Sequence, residues 1–125
     1  MALAKDLVPA FPAGQANANG GQCNAALAAA GSTLADGTPI TVSNTIVTGA
    51  DGTKGVTLPY MAPGELVLIF NNSASTLKVW PPGATVALST PGSGMGTVGA
   101  AFSLTTYRLA LIIAISATQY ISVLA

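Results

Sequence analysis

The chain predicts an all-β domain, a sandwich or a barrel, preceded by an extended arm. Three observations carry that expectation. From Ile40 onward, short runs alternate apolar and polar side chains, the period-2 mark of a strand with one buried face. Turn-forming pairs such as Asp51-Gly52, Pro63-Gly64 and Pro82-Gly83 cut those runs at short intervals. The apolar bulk comes from Ala, Val, Leu and Ile, since 50% of residues are hydrophobic and only 6% aromatic. Strands so spaced pack as two facing layers or close on themselves.

The chain divides at about residue 39, into an arm over 1–39 and a β domain over 40–125. Pro9, Pro12, Gly14 and Gly20-Gly21 give the first part an irregular, extended path. Within it, the alanine-rich stretch Gln22 to Ala30 predicts a short helix stopped by Gly31. Leu3, Leu7, Val8 and Phe11 are its bulky apolar side chains before Leu27. Such an arm either docks on a neighbour or folds back on its own domain.

The β domain opens with Ile40 to Ile46, which alternates, and continues with Val56-Thr57-Leu58 after the Asp51-Gly52 turn. Glu65 to Phe70 and Leu77 to Trp80 flank the turn-prone segment Asn71-Asn72-Ser73-Ala74-Ser75 and predict a hairpin. Thr85 to Leu88 is a weaker strand, followed by the glycine-rich loop Pro91 to Gly96. Ala101 to Leu104, Arg108 to Ile115 and Tyr120 to Leu124 complete the set, the last two joined through Ser116 to Gln119 as a tight antiparallel hairpin.

Charge narrows the function classes. The 125 residues hold four bases, four acids and no histidine, so 6% are charged against an average of roughly 25% in soluble proteins. Four scattered cations cannot neutralise a row of phosphates, so nucleic acid is not an expected partner. The longest apolar run, Leu109 to Ile115, is far short of the ~20 residues of a membrane-spanning helix. The first residues lack the long apolar stretch of a secretion signal, which predicts synthesis in a cytosol. Cys23 is the one cysteine and makes neither an internal disulfide nor a metal site. A surface with so few charges is expected to be covered by other subunits.

Patterns that suggest chemistry fail on context. Gly94-Met95-Gly96-Thr97-Val98-Gly99 spells a dinucleotide fingerprint, yet a strand follows it and no carboxylate lies downstream. Serines have no histidine to activate them. A histidine-free hydrolase would need two of Asp36, Asp51 and Glu65 to converge. The expectation is a protein that is not an enzyme and takes no cofactor or metal. Trp80, Tyr60, Tyr107 and Tyr120 are candidates for a sugar-stacking platform, and Trp80, beside Pro81-Pro82, and the Asn71–Ser75 loop are the candidate glycan contacts; an aromatic in a sandwich is more often core or interface.

The segment Leu109 to Ile115 is apolar on both faces, and a strand of that kind is covered on both. One cover is the domain core. Leu111, Ile112 and Ile113 are the candidates for a subunit interface under the other.

Gly55-Val-Thr-Leu-Pro59, Pro63 to Asn71 and Leu77-Lys-Val-Trp-Pro-Pro-Gly83, closed by a strand pair over Ala101 to Leu124, resemble small β-rich virion proteins of tailed bacteriophages. Lys5 to Ala16 is similar to the short leader of some head-decoration and fibre proteins. The resemblance implies an antiparallel, jelly-roll-like β-sandwich with an N-terminal arm. It implies a homotrimer on the capsid exterior, made in the host cytoplasm, whose partner is the major capsid protein. A cement role follows, with Leu7, Val8 and Phe11 as capsid anchors. The alternative is a tail-fibre or head-fibre module that recognises host glycans through Trp80.

Overall fold

The computed structural model describes residues 22–124. Among them every regular element is a strand, so the all-β expectation holds. The chain forms β1 (Cys23–Ala28), β2 (Thr38–Pro39), β3 (Asn44–Thr48), β4 (Gly55–Thr57), β5 (Leu66–Asn71) and β6 (Leu77–Trp80). It continues with β7 (Ala87–Leu88), β8 (Phe102–Leu104), β9 (Leu109–Ala114) and β10 (Gln119–Leu124). The larger sheet has the order β1-β3-β5-β9-β10-β7 and the smaller one β2-β4-β6-β8.

From β1 to β6 successive strands alternate between the sheets and stack in parallel. Cys23 lies beside Asn44 and Asn44 beside Leu68 in the larger sheet. Val56 lies beside Val79 in the smaller. The first half is thus a short solenoid of three coils, each giving one strand to each layer. Antiparallel strands then extend both layers, β9 pairing β5, β10 pairing β9 and β8 pairing β6, and β7 closes the edge of the larger sheet parallel to β10.

Two expectations are corrected here. The sandwich is mixed and not antiparallel, with five of eight pairings parallel, so its wiring is not that of a jelly roll. The hairpin expected from β5 and β6 is instead an arch between layers. Asn71 is fully buried at its corner, and its amide Nδ2 donates to the carbonyls of Ser75 (2.9 Å), Leu104 (3.1 Å) and Thr105 (3.2 Å). Those bonds hold the turn against the end of β8, so β6 leaves for the other sheet. The β9–β10 hairpin forms as expected, with the amides of Ile115 and Ser116 both donating to the Gln119 carbonyl.

The predicted helix over Gln22 to Ala30 is also corrected. Alanine's preference for helix is a few tenths to one kcal/mol per residue, and an isolated helix under ~12 residues is marginal. Pairing with β3 satisfies the backbone instead: the Asn44 amide donates to Gln22 and the Ala29 amide to Thr48. Strands β1 and β2 therefore build residues 23–28 and 38–39 into the two sheets. Gly31 serves as a turn residue at φ +68° rather than a helix stop.

The core lies between the layers. Val47, Val67, Ile69, Ala110, Ile112, Ala114 and Tyr120 of the larger sheet meet Val56, Leu77, Val79, Phe102 and Leu104 of the smaller, all buried. Tyr120 is the largest fully buried side chain, and its hydroxyl accepts the Met61 amide at 2.8 Å. That bond fixes the Pro59–Pro63 loop to the core.

Candidate functional site

Reactive side chains in the described residues serve the loops that carry them. Asp36 accepts from the amides of Ser32 and Thr33 and from the Thr33 hydroxyl. Asp51 accepts from the Thr53 amide and hydroxyl and the Lys54 amide, at 2.7 to 2.9 Å. The bonds from Thr33 lower the Asp36 pKa. The Thr53 hydroxyl, with the Lys54 and Thr53 amides, brings Asp51 down to about 2. Among the described residues no three of His, Cys, Asp and Glu gather to hold a metal.

The Asp51 staple gives a pH prediction whose sign is fixed. Its folded pKa lies below the unfolded value of 3.8, so its contribution is present above pH 4 and disappears as pH falls toward 2. Melting midpoints of the wild type and Asp51→Asn are expected to differ at pH 5 and to converge by pH 2. A constant gap would show that this carboxylate does not titrate with folding.

The glycan candidates land in structural positions. Trp80 is half-buried on the outer side of the smaller sheet, across Gly55. A Cβ at Gly55 would lie 2.9 Å from the indole Nε1 and 2.7 Å from the Lys78 carbonyl, so the glycine makes room for the ring. That Nε1 is buried without a hydrogen-bond partner. In the Asn71–Ser75 loop, Asn71 is buried as described, and the buried Ser73 hydroxyl accepts the Ala50 amide. Among the described residues the most exposed aromatic side chains are Tyr60, 70% exposed, and Tyr107, while Phe70 and Trp80 are half-buried. Tyr60 borders an open cleft of about 640 Å³ with Glu65, a feature that sequence reading missed. The glycine-rich loop is likewise spent on backbone pairing, with the Gly96 amide donating to Leu88 and the Gly99 amide to Val86.

The interface candidates divide. Leu111 and Ile113 lie on the outer side of β9, whereas Ile112 is fully buried in the core and is not an interface residue. Strand alternation requires this, because neighbours in a strand point to opposite faces. Leu7, Val8 and Phe11 lie outside the described residues.

Around Leu111 and Ile113 the outer side of the larger sheet forms one apolar surface. Three rows cross it. Leu66 stands beside Ile113, which stands beside Ile121. Leu68 stands beside Leu111, which stands beside Val123. Leu109 stands beside Phe70, which stands beside Ile46. At the β1 side the surface dips into a depression of about 300 Å³ between Ala25, Ile46, Phe70 and Leu109. No charged residue occupies an outward position on β3, β5, β9 or β10.

The distribution of bulk across the sheet is the telling feature. On β9 the core receives Ala110, Ile112 and Ala114, while Leu109, Leu111 and Ile113 point out. On β5 the core receives Val67, Ile69 and Asn71, while Leu66, Leu68 and Phe70 point out. The outer face carries more apolar bulk than the inner one. Side chains of this size in contact with water gain nothing from burial, at ~25 cal/mol per Å² forgone. A strongly apolar sheet face, with the Cys23 thiol at its β1 margin as its one reactive group, is suited to association. No protein-family model, curated protein or solved structure matches the chain.

Proposed function

We propose that this chain is a bacteriophage structural protein, a decoration or cement protein that binds the outside of the capsid and stabilises it. The observation that carries the reading is the uncharged apolar face of the larger sheet, outside a core that is already complete. The resemblance supplies the virion setting and implies a homotrimer partnered by the major capsid protein. A cement protein bridges shell subunits by several weak contacts, each of which raises the effective concentration of the others. On this reading Leu7, Val8 and Phe11 hold the shell. A chain lacking residues 1–20 keeps its own assembly and no longer decorates particles.

The deciding experiment is the number of copies in purified particles, counted by quantitative mass spectrometry against the shell protein. A ratio near one, or a simple fraction of it, is the expected result. A handful of copies per particle would replace the reading with a fibre module that recognises host glycans. Absence from particles would remove the virion setting altogether.

A further inference from the structure

The apolar face has more to say about its partner. We propose that it is covered by the same face of a second copy, the two larger sheets packing back to back about a two-fold axis. This rests on the association reading above and names the partner of that surface.

Size is the first argument. At ~4.8 Å between strands and ~3.3 Å per residue, β3, β5, β9 and β10 span roughly 19 by 20 Å. Side-chain relief raises the accessible area of that rectangle to about 500 Å². Two such faces together bury about 1,000 Å², the size at which specific interfaces begin. Apolar patches beyond a few hundred Å² mark interaction sites on otherwise soluble proteins.

Composition is the second. The face has no charge and its bulk is Leu, Ile, Val and Phe; its outward polar residues, Asn44, Thr48 and Gln119, stand at its margins, and the Asn44 amide Nδ2 already donates to the Gln22 carbonyl, so the face makes no demand for a charged partner. An identical surface satisfies it, which is the condition for an isologous contact.

Direction is the third. Glu65 immediately precedes β5 and Arg108 immediately precedes β9, and these strands are antiparallel neighbours. The two charges therefore stand at opposite ends of the sheet, Glu65 opposite the inward Ala114 and Arg108 opposite the inward Asn71, so they flank the apolar face and do not lie on it. A two-fold axis running across the strands at the Leu68–Leu111 row lays the Leu66–Ile113 end of one copy over the Phe70–Leu109 end of the other. Each Glu65 end then meets an Arg108 end. A parallel arrangement, including three sheets around an axis along the strands, groups like charges at each end. Across the ~10 Å between packed sheets this attraction is weak and screened by salt. It selects the direction; the apolar rows hold the pair. The two-fold pair departs from the homotrimer that the resemblance implies.

The test is solution mass by light scattering and sedimentation on the full chain, with Leu111→Glu against Val98→Glu, a substitution at an exposed loop position away from the sheet. Wild type and Val98→Glu are expected at about twice the 12.3 kDa chain mass. Leu111→Glu is expected at the single-chain mass, with association weakened about 100-fold or more and the circular dichroism of wild type. Reversing Arg108 alone (R108E) weakens the pair severalfold, and adding E65R restores it. A wild-type monomer, a wild-type trimer, or an oligomer indifferent to Leu111→Glu would each overturn the proposal. None of these outcomes bears on the particle copy number, so this inference and the capsid reading fail separately.

Discussion

Replacing Asn71 with alanine is expected to lower stability by about 3 kcal/mol. The side chain is fully buried; the two hydrogens of its Nδ2 are shared among three carbonyls, at Ser75, Leu104 and Thr105, while its Oδ1 is buried without a donor. A net hydrogen bond contributes ~1 kcal/mol, and an acceptor left buried without a donor costs more. Ser75 and Thr105 are near enough to solvent for their carbonyls to regain water; the Leu104 carbonyl lies in a buried bond and does not. At ~3–6 °C per kcal/mol, between the values for smaller and larger domains, the melting midpoint falls by roughly 10–20 °C. Asn71→Asp separates hydrogen bonding from shape, since it keeps the volume and replaces the donor by an oxygen. Facing three carbonyls, that carboxyl is neutral at a cost or charged at a greater one, so Asp is expected to be worse than Ala at pH 7. Urea unfolding of the three proteins gives the order. If Asp were tolerated as well as Ala, the three-carbonyl clamp would not be what holds the arch.

The same residue shows where sequence reading stops. Asn71 heads a run of turn formers between two alternating segments, which is the signal for a hairpin. Alternation identifies which side chains share a face. It carries no information about which strand lies alongside, because that depends on contacts far away in the chain. The decisive partners here are Leu104 and Thr105, more than thirty residues on. Parallel stacking of coils was hidden for a related reason. Successive coils differ in length and share no repeated motif, so Cys23, Asn44 and Leu68 give no sign that they form one row. At β1 a local preference worked against the outcome: alanine favours helix, and edge pairing with β3 outweighed it.

Much of the apolar outer face is legible in the sequence. A strand apolar on both sides pointed to a second cover at Leu109 to Ile115, and Leu111 and Ile113 do face outward. Its breadth was not legible, because Leu66, Leu68 and Phe70 become their neighbours only through the β5–β9 pairing. Alternation sets Ile112 with Ala110 and Ala114, opposite Leu109, Leu111 and Ile113, and the fold turns that set inward, so Ile112 does not share a face with Leu111 and Ile113. Nothing in the sequence showed that the smaller side chains, Ala110 and Ala114, would be the inward ones.

That inversion leads to the second large effect. Ile112→Ala is expected to destabilise the protein by about 3–4 kcal/mol, the range for removing most of a fully buried aliphatic side chain. With Ala110 and Ala114 as its neighbours on the inner face, no large residue of β9 can collapse into the space. The cost therefore belongs at the upper part of that range. Leu111→Ala, one position earlier, removes a similar volume from the outer face and leaves no internal cavity. In a dilute single-chain state it is expected to cost under about 1 kcal/mol, as surface changes do. Urea midpoints measured across a hundredfold range of protein concentration separate the two. The Ile112→Ala deficit is expected at every concentration. The Leu111→Ala deficit is expected to grow as concentration rises, because it removes stability that mass action adds only when the face is covered. Equal deficits at all concentrations would mean that the outer face contributes through packing within one chain, and the association reading would lose its physical basis.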